Sequence, residues 1–373
     1  MSAWQRQRRR AALARWLGPW SSPDLVPTDV VRQDWSAAPS GRTIHGRVFR
    51  PSRGKPTGAY LVVPGLHFDG VDDPRLDRFC RILASSGLFV LSPKLQDMLA
   101  LRVVPRSTPD LAVAFDWIVA HCGREHLPKP AVFSISFGST PAIGIAGDPK
   151  RAKQLGALLL FGGFFDFRAT VRFAVSGRAY HDGQPVSVPH DPLNGPAVLI
   201  NVVEHLDDNL DKAALRQAWH EMARVTWGHE HTRPASVRWP LAERIASGLA
   251  PSMRALFITG CGLRPGSEAL VEMAFARDPS FYDFTNAKDK LASLRRPITI
   301  VHGRDDDVIA WPEAYKLKRA LAPSHEGRLF LTGMYGHTAT SNISLSAWHQ
   351  ELTTMQAVLG SLVDAPHQPP PPA

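Results

Sequence analysis

Long uncharged apolar runs are missing from this sequence. Nowhere do about eighteen apolar residues follow one another, the length a helix needs to cross a bilayer, so the pattern supports no membrane-spanning helix. Cysteine is scarce as well: Cys80, Cys122 and Cys261 are the three. They lie far apart, are odd in number and show no CxxC spacing, which argues against a disulfide framework and a thiolate zinc site. Such usage suits a reducing, cytoplasmic compartment. Phosphate loops and the dinucleotide glycine fingerprint are also lacking, so no nucleotide cofactor is implied. His220-Glu221 has no second histidine four residues after the first. His229-Glu230-His231 has no carboxylate-rich partner segment. Both read as solvated polar stretches, and no metal is expected.

What is present is an ordinary globular composition, 44% hydrophobic over 373 residues, with a formal net charge of +9. That length suits one large domain with an insertion, or two ordinary domains. The positive excess is spread along the chain, which does not favour nucleic-acid binding. Part of it clusters at the start, in Arg6, Arg8, Arg9 and Arg10. Arg15 interrupts the apolar run that follows, so a signal peptide is not supported. Residues 12–20 read as a short amphipathic helix. Contact with a membrane surface of acidic lipid is one role for it; the plainer reading is a solvated or core-docked terminal helix.

From Thr43 onwards short apolar runs alternate with helical stretches. Residues 43–49 alternate like a strand, and Ala59 to Val63 is a continuous apolar run ending in Pro64-Gly65. Unbroken runs of this kind suit strands buried on both faces of a parallel sheet. Residues 74–86 carry Leu76, Phe79, Ile82 and Leu83 at helical spacing before Gly87. Strands are expected at 88–91, 131–135, 156–161, 298–301 and 328–331, with helices over 108–121, 138–145, 312–321 and 343–363. The rhythm predicts an α/β fold with a doubly wound, mostly parallel sheet.

Between residues 168 and 291 that rhythm is lost. Helical spacing survives at 211–225 and 268–277, and the rest is rich in Trp, His and Pro. The expected organisation is an N-terminal basic extension (1–42), the first part of the core (43–167), a largely helical cap insertion (168–291), the second part of the core (292–363) and a proline-rich tail (364–373). The tail from Pro366 reads as a disordered extension.

The chemistry-bearing segments fall just after expected strands. The strand Ala131-Val132-Phe133 runs into Ser134-Ile135-Ser136-Phe137-Gly138, with a helix to follow. This resembles the G-x-S-x-G nucleophile elbow of the α/β-hydrolase fold superfamily, with Ser134 in place of the first glycine. A late strand leads into His302-Gly303-Arg304-Asp305-Asp306-Asp307-Val308, similar to the family's HG-x-x-D segment, whose spacing selects Asp306. Asp305 and Asp307 flank it and stay open. The last strand is followed by Met334-Tyr335-Gly336-His337, where the family places its base. Asp166 is the rival acid; its plainer reading is a turn residue leading into the cap. The resemblance covers residues 43–165 and 295–363. It implies a catalytic triad of Ser136, Asp306 and His337, because a serine hydroxyl needs a base to take its proton and an acid to orient that base.

An oxyanion hole needs two backbone N–H donors. By position in the resemblance these are the amides of Phe137 and Leu66, with His67 as the runner-up to Leu66. The implied activity is hydrolysis of a carboxylic ester or thioester of a small-molecule substrate through an acyl-enzyme. Acyl transfer to another acceptor, C–C bond hydrolysis on the same triad, and a non-catalytic binding protein are the alternatives. The cap aromatics Phe173, Trp219, Trp227 and Trp239, with the apolar stretch 196–203, suggest a substrate with an apolar acyl or alkyl group; packing inside the cap is their plainer role.

Overall fold

The computed structural model describes residues 2–18, 21–39, 41–333 and 345–367, the side chains of 345–350 excepted. Ten strands occur among them: β1 (Val30–Ala37), β2 (Ile44–Pro51), β3 (Ala59–Val63), β4 (Phe89–Pro93), β5 (Ala131–Ile135), β6 (Leu158–Phe161), β7 (Ala179–His181), β8 (Gln184–Val186), β9 (Ile298–Gly303) and β10 (Arg328–Thr332). Eight build one sheet in the order β1-β2-β4-β3-β5-β6-β9-β10. β1, β2 and β4 pair antiparallel. From β4 to β10 every pairing is parallel.

The two faces of the sheet explain the unbroken apolar runs. In β3, Leu61 and Val63 face a layer holding Leu111, Phe115 and Ile143, which belong to helices Ser107–Arg124 and Ser139–Gly147. Tyr60 and Val62 face the other layer, with Leu13, Ile82 and Leu359, from helices Ala3–Leu17, Pro74–Ser85 and Leu345–Asp364. Alternate residues thus meet different cores, and both sets must be apolar. Tyr60 places the one hydroxyl of the strand deep inside, where it donates to Leu362 O at 2.7 Å.

Three expectations about the termini are corrected. The sheet begins at Val30, inside the stretch read as an extension, because β1 pairs with β2 along its full length. The first helix spans Ala3–Leu17, not 12–20. Ser2 caps it by accepting from Gln5 N, while the Gln5 side chain accepts from Ser2 N, a start signal that the arginine run obscured. Its Leu13 is fully buried against the core, and Arg6 ion-pairs with Asp364 at 2.9 Å. The tail is packed as far as His367: Ala365 and Pro366 are buried, and His367 Nε2 accepts from Arg9 Nη1 at 2.8 Å. No helix among the described residues is long and apolar enough to cross a membrane.

The cap is inserted between β6 and β9. It contains helices Phe167–Ser176, Asn194–Val202, Lys212–Thr226, Ala235–Ser247, Pro251–Gly260 and Ser267–Arg277, and the β7–β8 hairpin. These helices share an apolar core around Trp219, Phe257 and Val271 that reaches Leu101 and Ile309 of the main body. The cap therefore shares its core with the α/β layers beneath it.

Candidate active site

β3 lies between β4 and β5, so the chain leaves β3 to one side and returns to the other. Such a reversal opens a crevice at the carboxyl ends of the strands, where α/β proteins bind ligands. Ser136 follows β5 there, and the loop Pro64–Phe68 follows β3.

Ser136 has φ +51°, in the left-handed region, which costs a residue with a Cβ about 1–2 kcal/mol. Its neighbours hold it there by close approach. A Cβ on Gly138 would fall 2.5 Å from Pro64 O, and one on Gly65 would fall 3.2 Å from Ser136 Cβ. Glycine at both places lets the β3 loop lie directly against the turn. Ser134, in the position of the first elbow glycine, is fully buried. Its Oγ lies 3.5 Å from Leu159 O, so a small polar side chain fits between β3 and β6.

Ser136, Leu66, His67 and Phe137 line one cavity of about 380 Å³. No protein acceptor for the Leu66 or the Phe137 amide is found among the described residues. Both ring nitrogens of His67 are engaged. Nδ1 accepts from Asp69 N at 3.3 Å, and Nε2 lies 3.3 Å from Asp73 Oδ2. His67 is thereby fixed in the cavity wall.

The Asp run divides into separate tasks. Asp306 Oδ1 accepts from Val308 N at 3.0 Å and Ile309 N at 2.9 Å. Its Oδ2 lies 3.5 Å from His302 Nε2, and a Cβ on Gly162, just after β6, would meet it at 3.3 Å. Asp307 is the member that lines the cavity with Ser136. It is buried and pairs with Arg233 of the cap at 2.9 Å. Its carbonyl accepts from Asp191 N and from Asn194 Nδ2, so this residue stitches the loop to the cap. Asp166 caps helix Phe167–Ser176 by accepting from Ala169 N at 3.1 Å, and its own amide donates to Glu313 Oε2. It does not line the cavity. His337 lies outside the described residues.

Asp191, Arg233 and Asp73 were invisible as site residues in the sequence. Asp191 and Arg233 reach the cavity through cap-to-core packing, which no local spacing encodes. Of the four cap aromatics singled out above, Trp227 lines the cavity. Trp219 is fully buried and donates to Phe257 O at 3.1 Å, while Phe173 packs against His190 and Trp239 under Arg264.

The electrostatics of the cavity oppose those of the chain. Asp73, Asp191, Glu230 and Asp307 line it against Arg75 and Arg233, in a protein of net charge +9. Burial pushes the Asp73 carboxyl up, but the hydrogen bond and charge of Arg75, with His67 beside it, outweigh that and hold it below the usual carboxylate range. Asp73 is therefore anionic at neutral pH.

No family model matches the chain, and no curated protein matches it by sequence. Among solved structures it is similar to a brefeldin A esterase, a bacterial homologue of human hormone-sensitive lipase. The TM-score is 0.50 at 16% identity, over 96% of this chain and 86% of that one. It is similar too to the acylaminoacyl peptidase of Pyrococcus horikoshii, with a TM-score of 0.50 at 9% identity, over 93% of this chain and 43% of that one. The chain has the α/β-hydrolase fold. Ser136 sits on the strand-to-helix turn after β5, in the left-handed conformation.

Proposed function

We propose that this chain is a serine hydrolase that cleaves a carboxylic ester or thioester through an acyl-enzyme on Ser136. The observation that carries the reading is the strained, cavity-facing backbone of Ser136 at φ +51° between two loops packed at glycine contact distance. Strain at a residue whose surroundings over-determine it is a mark of functional sites.

In this reading His337 takes the Ser136 proton as the hydroxyl attacks the carbonyl carbon. Asp306 orients His337 and stabilises the imidazolium. The developing oxyanion sits on the amides of Leu66 and Phe137. His337 then protonates the leaving group, and water, activated by the same base, hydrolyses the acyl-enzyme. Asp306 suits the part of acid because Val308 N and Ile309 N hold one carboxylate oxygen, which fixes where the other points. Asp307, which lines the cavity and pairs with Arg233, is the neighbouring alternative, and Asp166 caps a helix and does not line the cavity.

Steady-state hydrolysis of 4-nitrophenyl acetate tests the reading. Ser136→Ala abolishes turnover, and Asp306→Asn lowers kcat by about 10³–10⁴-fold, the scale of losing the group that orients a catalytic imidazole. Asp166→Asn keeps turnover and, because asparagine caps a helix as well as aspartate, keeps the helix. Full activity in Ser136→Ala, or a silent Asp306→Asn beside an inactive Asp166→Asn, contradicts the assignment.

A further inference from the structure

Alternate residues of a strand share a face, so β9 sends Ile298, Ile300 and His302 to one side. Ile298 and Ile300 sit in the core with Ala314 and Leu317 of helix Pro312–Arg319. His302 ends that row and is 0% exposed, at a place where the pattern calls for an apolar side chain. Its Nε2 lies 2.8 Å from Ile309 O. A carbonyl oxygen only accepts, so Nε2 carries a proton and donates it to this bond. Nδ1 is buried without a partner among the described residues. An orphaned buried nitrogen is costly, and native proteins rarely keep one without a use. A leucine in the same place incurs no such cost. The use of the histidine therefore lies in its Nε2.

That nitrogen braces the segment of the expected acid. Asp306 Oδ1 accepts from Val308 N and Ile309 N. Ile309 is thus gripped at both ends, its amide by Asp306 and its carbonyl by His302. The same Nε2 lies 3.5 Å from Asp306 Oδ2. Backbone closes in on that oxygen too, since a Cβ on Gly162 would fall 3.3 Å from it. His302 itself does not line the cavity of Ser136, so anything it does for the chemistry passes through Asp306.

We infer that His302 is a positioning residue: its Nε2 holds Ile309, and through Ile309 the orientation in which Asp306 presents its carboxylate to the base. The inference rests on the serine-hydrolase reading with Asp306 as the acid. Two charge-free replacements separate the donor from the packing. His302→Gln keeps an N–H that reaches Ile309 O, and His302→Leu fills the space without one.

Steady-state hydrolysis of 4-nitrophenyl acetate across pH reads both. In His302→Leu kcat is expected to fall about tenfold or more with KM little changed, the scale on which misplacing a reacting group from a distance slows an enzyme. The rising limb of its pH–rate profile moves to lower pH, because a base that has lost an aligned anion holds its proton less tightly. His302→Gln recovers most of kcat and the wild-type limb. In an Asp306→Asn background His302→Leu has almost no further effect on the rate of Ser136 labelling by a fluorophosphonate, since residues that act as a unit are not additive. If His302→Leu does not fold, His302→Asn, whose shorter amide does not reach Ile309 O, takes its place with the same expectations. Wild-type kcat and pH profile in the variant without a donor, equal impairment in His302→Gln, or a full further loss in the Asp306→Asn background each overturn the inference. Ser136-dependent turnover in the wild type leaves the serine-hydrolase reading standing in those cases. No turnover and no labelling of Ser136 in the wild type sinks both.

Discussion

At Ser136 the physics of one backbone angle carries most of the functional weight. A side chain at φ +51° is strained, and a glycine there is not. Two inactive variants separate strain from chemistry. Ser136→Gly is expected to be more stable than Ser136→Ala by about 1 kcal/mol, the cost of a Cβ in the left-handed region, read as a higher denaturation midpoint at equal slope. Equal midpoints contradict a strained elbow. This residue was legible in the sequence because the elbow needs small neighbours at fixed offsets, and Ser134 and Gly138 meet that demand. The different partners of Asp306 and Asp307 were not legible. Spacing chose Asp306, but the partnership of Asp307 with Arg233 depends on a cap residue that sequence spacing does not connect to it.

Among elements, the first helix takes the plainer of the two readings its sequence allows, that of a core-docked terminal helix: Leu13 is buried, Arg6 and Arg10 pair with Asp364, and Arg9 bonds Thr57 and His367. The C-terminal end is their counterpart, and no local reading pairs the two ends of a chain. Helix starts and stops near the sheet were legible because apolar period and turn residues agreed, as in Pro74–Ser85 with Asp73 as its cap. β1 was missed because its outward residues, Arg32, Gln33 and Asp34, suit an exposed edge strand and dilute the apolar signal.

The docked ends carry a pH dependence. Burial, then the charge of Arg9, pushes His367 down to about 4 from an ordinary 6.5. A depressed histidine adds stability above its unfolded pKa and loses it as pH falls through the folded value. The urea midpoint of the wild type is therefore expected to fall between about pH 6.5 and about pH 4, and to fall less in His367→Gln, which keeps an acceptor for Arg9 but does not titrate. Parallel pH profiles for the two proteins contradict the coupling.

For the whole molecule, the order of strands and the insertion point of the cap determine what the site is. The reversal between β4 and β5 around β3 brings the Pro64–Phe68 loop against the Ser136 turn. The cap after β6 then closes the crevice with Trp227, Asp191 and Arg233. The doubly wound sheet followed from alternating periods in the sequence; the cavity did not, because its walls come from cap helices whose packing angles no period encodes. The acidic lining is a property of that packing. The central claim, that Ser136 is a nucleophile activated for attack, is tested most directly by intact-mass analysis after a fluorophosphonate probe. One adduct on the native protein, mapped to the Ser136 peptide and lost both in Ser136→Ala and after denaturation, is the expected result. An unmodified native protein, or undiminished labelling of Ser136→Ala, would contradict it.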